Sequence, residues 1–344
     1  KICNPKYAEI MELSAINKQW KAFKFIMKLE NYKFTGKELS IASEYGGAGV
    51  VELLLADSRV DPSANNNYAI RFASRNGRVE VVELLLADSR VDPSADMNYA
   101  IRWASYYGQT KVVELLLADP RVDPFANNNY AIRFASRKGH TEVVELLLAD
   151  PRVDPTAGKN YAIGWASENG HVGVVELLLA DPRVDPSDDN NYAIRFASEN
   201  GHVGVVGLLL ADSRVDPSAE NNYAIRYASE NGHVGVVEPL LADSRVDPSA
   251  ENNYAIRWAS ENGHVGVVEL LLADSRVDPS AGKNYAIGWA SDNGHLEVVK
   301  LLLEDSRVDP SANDNYAVIH ADYNSHWRIV QLLLRDRRVF LNRL

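Results

Sequence analysis

Six histidines, His140, His171, His202, His233, His264 and His295, recur at intervals of 31 residues. Imidazole is the commonest metal ligand, so a metal is the first chemistry such a ladder raises. A zinc ion holds its nitrogen ligands at about 2.0–2.1 Å, whereas one histidine per packed unit places neighbours about 10 Å apart. The ladder cannot converge on one ion, so each unit needs its histidine for itself, at a helix junction. The acidic loops, such as Asp274 to Asn284, offer oxygen atoms for calcium. They lack the glycine-anchored spacing of an EF-hand, and Asp and Asn are the residues of caps and turns. The aromatic series Phe72, Trp103, Phe134, Trp165, Phe196, Tyr227, Trp258 and Trp289 could stack bases. Nucleic-acid binding also needs positive charge to neutralise phosphates, and this region is acidic. Packing between two helices is the expectation for these rings.

No nucleophile–base pair or paired carboxylates stand out. The glycine-rich run from His202 to Gly207 sits on a helix rather than after a strand, so it is not a phosphate or dinucleotide loop. The sequence therefore predicts no catalytic residue, no cofactor, no metal site and no nucleic-acid partner.

The elements that carry these residues are copies of one unit. Tyr68, Tyr99, Tyr130, Tyr161, Tyr192, Tyr223, Tyr254, Tyr285 and Tyr316 are each 31 residues apart, and Lys37 opens a tenth unit without the tyrosine. Stacked units of this kind bury a core that none could bury alone, which overrides any domain count from length. Residues 1–36 are expected to form a helical cap, 37–315 the repeats, and 316–344 a degenerate capping repeat.

Each unit reads as two short helices. Asn253 is expected to cap the first, where Ile256 and Ala259 share a face. Asn262-Gly263 ends it, since glycine tolerates a left-handed conformation. The second helix runs from Val265 to Ala273 and is apolar almost all round, so it must be covered on several sides. The segment from Asp274 to Asn284 is turn chemistry. At 8–10 Å per packed helix, ten units predict a rod or arc on the order of 100 Å long.

These residues resemble the ankyrin repeat. Tyr254 to Ser260 falls on the family's T-P-L-H-x-A-A, Gly263-His264 on G-H, Val267-Val268 on V-V, and Leu270 to Leu272 on L-L-L. The resemblance implies an all-α, ankyrin-type solenoid of stacked helix-turn-helix repeats with short loops or hairpins, acting as a protein–protein interaction module. The unit is two residues shorter than the family's usual 33, and the shortening falls in the hairpin, so binding fingers should be short. The family's Thr and His become Tyr254 and Arg257. Tyr254 is expected to pack between neighbouring units and Arg257 to pair with a loop aspartate such as Asp278.

Among the copies the apolar positions barely change. Variation gathers at two places that line the concave face in ankyrin stacks. One is the loop pair, with Asp96, Met97, Lys159 and Lys283 among its variants. The other ends the first helix: Arg75, Tyr106, Tyr107, Arg137 and Lys138, then Glu168-Asn169, Glu199-Asn200, Glu230-Asn231, Glu261-Asn262 and Asp292. By this reading the partner-binding face turns from basic and aromatic to acidic along the chain. It suits a protein of complementary charge.

The chain has 344 residues, 46% of them hydrophobic, and a net charge of −11. Eight lysines against three glutamates make residues 1–37 +5, and five arginines against Asp336 make 327–344 +4, leaving −20 between. Oppositely charged ends and middle are what self-association between copies would use. A lone cysteine, Cys3, gives no internal disulfide, and no apolar run reaches the about 20 residues of a membrane span. An intracellular location and no membrane contact are expected. Leu13 to Trp20 also resembles the second half of an F-box, without its Leu-Pro start. That resemblance implies a ubiquitin-ligase adaptor role, as in the F-box–ankyrin chains of large DNA viruses and amoebae.

Overall fold

The computed structural model describes residues 5–28 and 34–339, and holds twenty-two α-helices and no strand among them. Cys3, Lys1, Lys33 and Arg343, which entered the disulfide and end-charge arguments, lie outside the described residues. The chain divides into two compact units, residues 1–162 with 177–184, and residues 163–176 with 185–344.

Both units use the same local architecture. In the second, the first helix of one repeat, Ala250–Glu261, packs against its counterparts Ala219–Glu230 and Ala281–Asp292. The second helix, Val265–Ala273, returns against the first and against Val234–Ala242. Ala255, Ile256 and Ala259 from the first helix meet Val267, Val268 and Leu271 from the second, with Val277 of the loop, all essentially fully buried. Each buried Ile, Val or Leu among them contributes about 1.5–3 kcal/mol by leaving water. In the first unit Ile101, Val112, Val113, Leu116 and Val122 do the same.

Three features of the repeat differ from expectation. The residues Glu251, Asn252 and Asn253 form a left-handed turn, with φ of 51°, 58° and 57°. Left-handed backbone costs about 1–2 kcal/mol per ordinary residue and least for Asn, which explains the Asn-rich sequence there. Asn253 is therefore not a cap, since a cap needs extended backbone. Its Oδ1 instead accepts from the Asp278 N–H of the next repeat at 2.7 Å.

Arg257 does not pair with Asp278. Asp278 is satisfied locally, accepting from the Ser280 N–H and hydroxyl, while Arg257 donates to the Asn252 carbonyl at 3.2 Å. Loop pairing does occur two residues apart. Arg276 embraces Asp274 and reaches back to the Val246 and Leu241 carbonyls of the preceding repeat at 2.8 and 2.9 Å. The D-x-R of the loop is thus a staple between repeats, as it is at Arg121, Arg152 and Arg245.

The aromatic series is not core packing between two helices. Its rings are half-buried and alternate with the repeat tyrosines in a stripe along the first helices: Tyr223, Tyr227, Tyr254, Trp258 and Tyr285 in the second unit, with centroids 4.1–6.2 Å apart. Small alanines occupy the helix face turned to the core, so the bulky ring is displaced to the edge.

At the start of the chain lie two helices, Pro5–Ile16 and Trp20–Met27, separated where Lys18 takes φ 55°. Met11, Ala15, Phe23 and Ile26 are buried, whereas Leu13 and Ile16 are exposed. The Trp20 ring lies where a side chain on Gly47 would stand, 2.7 Å from its Cβ position, and so seats this pair on the first repeat.

Candidate protein-interaction face

The half-exposed face of the first helices carries the candidate residues. In the first unit it gathers a cationic and aromatic cluster. Trp103 lies 5.2 Å from Tyr106 and 5.9 Å from Tyr107, centroid to centroid. Arg75 donates to the Tyr107 hydroxyl at 3.2 Å, with its guanidinium 5.2 Å from that ring. That hydrogen bond raises the Arg75 pKa above its ordinary value. The Lys138 ammonium sits 5.1 Å from the Tyr106 ring. Tyr107 remains 41% exposed and Met97 66% exposed, and Arg137 is exposed as well. Arg75, Asn76, Arg78, Tyr107 and Gln109 line an adjoining cavity of about 350 Å³. Asp96 is engaged with Arg71, at 2.7 Å. Lys159 is exposed.

In the second unit the same face is acidic, but its carboxylates also serve the stack. Glu168 accepts from the Tyr192 hydroxyl, Glu199 from Tyr223, Glu230 from Tyr254 and Glu261 from Tyr285. Burial and then these hydrogen bonds hold each tyrosine well above its ordinary pKa. Asn231 and Asn262 donate to the Glu199 and Glu230 carbonyls of the preceding repeat. Asn169 and Asn200 turn back on the Trp165 and Phe196 carbonyls of their own helix. Asp292 accepts from Asn324 at 2.6 Å, and Lys283 is exposed.

The histidine ladder serves the same junction. His264 Nε2 lies 2.8 Å from the Glu230 carbonyl, and His202, His233 and His295 repeat the contact one unit apart. Each ring also covers the glycine that ends the preceding first helix. A Cβ on Gly232, at φ +78°, would stand 2.6 Å from His264 Nδ1. In the first unit Arg78 and Gln109 take this role toward the Glu44 and Arg75 carbonyls. No group of three or more His, Cys, Asp or Glu side chains among the described residues is placed to hold a metal, and no described helix is long and apolar enough to cross a membrane.

Trp103 as the centre of the first cluster, and the arginines at the Arg257 position as part of this face, are not among the residues expected from sequence. The signal was present: this arginine is retained in most copies and lost to glycine in two, at Gly164 and Gly288.

A family model of ankyrin repeats, built of three copies, matches residues 39–128, 101–190, 131–221, 163–252, 194–282 and 256–343. No curated protein matches the chain.

Proposed function

The chain belongs to the ankyrin-repeat family, whose members are generally non-enzymatic protein-interaction modules, and we propose that it binds a partner protein through the first-helix face, the concave face of such stacks. The cluster of Trp103, Tyr106, Tyr107 and Arg75 carries this reading. Tyr, Trp, Met and Arg are the residues enriched at interface cores and hot spots. Here they stand half-exposed on one face, beside an open cavity, with Arg137 and Lys138 adding positive charge. A partner segment bearing aromatic and acidic side chains fits this cluster. The acidic second-unit face, from Glu168 to Glu261, fits a basic portion of the partner.

Selection of a displayed random-peptide library on the immobilised protein tests this. The recovered peptides should be rich in acidic and aromatic residues. Tyr107→Ala should weaken them by about 30-fold, the loss typical of a hot spot, while Glu269→Ala on the outer helix leaves them unchanged. Peptides indifferent to Tyr107→Ala and Trp103→Ala would place the binding face elsewhere.

A further inference from the structure

Most repeats keep an arginine on the first helix, and it sits in a formed slot. In Arg102, Arg133, Arg195 and Arg226 the Nε donates to the carbonyl five residues earlier at 2.8–2.9 Å. Their Nη2 donates to the carbonyl six residues earlier at 2.9–3.2 Å. Those carbonyls belong to the left-handed turn. The guanidinium also faces the tyrosine of the next repeat, 5.1–5.3 Å from the ring for Arg102, Arg195 and Arg226. Two carbonyls and an aromatic face define a guanidinium site: planar donors for the oxygens and a cation over the ring.

At Gly288 the side chain is gone and the slot remains. A cavity of about 240 Å³ opens there, lined by Gly282, Lys283, Trp289, Asp309 and Tyr316. A single water needs about 10–15 Å³ of such space, so the cavity takes a guanidinium and part of its stem. Gly282 and Lys283 are the residues six and five before position 288, so they hold the two accepting carbonyls. No side chain donates to these carbonyls among the described residues. Tyr316 is the tyrosine of the next repeat, held by its stack on His320 at 3.8 Å. Its ring stands close to Gly288, where a Cβ would meet Cδ1 at 3.1 Å.

We propose that this vacated slot receives the guanidinium of an arginine side chain from the partner protein. The inference rests on the groove-binding reading above and names one contact within it. The chain's own arginines show the chemistry that completes the site, and the acidic second-unit face attracts the same charge. Within the cavity Asp309, which also accepts from Ser311 and lies 4.0 Å from the Arg338 guanidinium, favours a cation, and the exposed Lys283 ammonium opposes it. The identical change of three residues, Gly158, Lys159 and Gly164, occurs once more in the sequence.

The test is titration of the full chain with N-acetyl-arginine amide, followed by the indole N–H resonance of Trp289. Saturable shifts are expected with a Kd on the order of 1 mM, and none from the N-acetyl-lysine or N-acetyl-citrulline amides. Gly288→Arg supplies the missing guanidinium internally and should weaken the response by at least about tenfold. Lys283→Asn, the residue of most other copies, should tighten it. Equal response to the lysine or citrulline probe, or undiminished response in Gly288→Arg, overturns the proposal. So does tighter binding of free arginine than of the capped amide, which would make the slot a metabolite site. If Gly288→Arg melts below the parent protein, Tyr316→Leu takes its place, and an unchanged response there is equally fatal. Peptide selection at the Tyr107 cluster is read independently, so failure of the slot leaves that reading standing.

Discussion

The Tyr285 hydroxyl donates to the Glu261 carboxylate at 2.7 Å, joining each side of a repeat boundary on the half-exposed face of the first helices. The same bond recurs at Tyr192–Glu168, Tyr223–Glu199 and Tyr254–Glu230. These glutamates, and Glu44, which accepts from the Tyr68 hydroxyl at 2.9 Å, differ from Arg75, Tyr106 and Arg137 at the same place in other repeats, so the variable position sets both local cohesion and surface charge. Tyr285→Phe and Glu261→Gln should each destabilise by about 1 kcal/mol, with strong coupling between them because they share one bond. Additive losses in a double-mutant cycle, read from denaturant melts, would deny the bond any energetic role.

Ser260 is fully buried and its hydroxyl makes no hydrogen bond among the described residues. Ser229 and Ser291, one repeat away on each side, share this state. The ankyrin motif has alanine at this place. An unpaired buried hydroxyl costs about 1–3 kcal/mol, and alanine is also the better helix former. Ser260→Ala should therefore raise stability by about 1 kcal/mol, and several such changes should add because the repeats are separate. A lower melting midpoint for Ser260→Ala would show that the hydroxyl has a partner.

Stability should fall at both pH extremes, for two separate sets of groups. Hydrogen bonds from Arg276 and its equivalents hold Asp274, Asp243 and Asp150 below the ordinary carboxylate value, and Asp57 and Asp336 at about 2. A depressed carboxylate contributes stability above its unfolded value near 3.9 and loses it as pH falls through the folded one. The acid window is thus about pH 4 down to about 2. The raised tyrosines act in the opposite sense. Their contribution is complete below about pH 10 and disappears as pH rises through the folded values, which reach about 12 at Tyr68. Melting temperatures should drop in both windows, and phenolate absorbance should appear late, together with unfolding. A melting temperature unchanged between about pH 5 and pH 2 contradicts the acid arm.

The repeat frame was legible in the sequence because apolar spacing is a direct image of burial: Ile256, Ala259, Val267, Val268 and Leu271 are where the period puts them. Tyr254 was legible as an inter-repeat residue because the tyrosine recurs in nine of the ten units. The left-handed turn at Glu251–Asn253 was not, since Asn suits a cap and a left-handed residue equally, and only the neighbouring repeat decides between them. Arg257 was assigned to Asp278 on charge alone. The sequence does not reveal that Asp278 is saturated by Ser280 or that bare carbonyls lie nearer. The candidate face rests on variation among copies, and the pairing of its glutamates with tyrosines was not legible there, because it requires knowing that positions 24 residues apart meet.

Pro239 lies inside the helix Val234–Ala242, where the other copies carry leucine, as at Leu270. Proline has no N–H for the carbonyl four residues back, that of Gly235, and its ring crowds the same carbonyl, at a cost of about 3 kcal/mol. The buried Val236, Val237 and Leu240 still hold the helix to its neighbours, so the repeat folds but on weaker support. In a stack whose stability is a sum of local and nearest-neighbour terms, such a defect lowers the opening free energy where it occurs. Amides of Val236, Val237 and Leu240 should exchange with solvent faster than those of Val267, Val268 and Leu271, which occupy the same places one repeat on. Pro239→Leu should restore them to parity and raise the melting temperature. Equal protection of the two repeats in the parent protein would mean that the neighbouring helices absorb the whole cost.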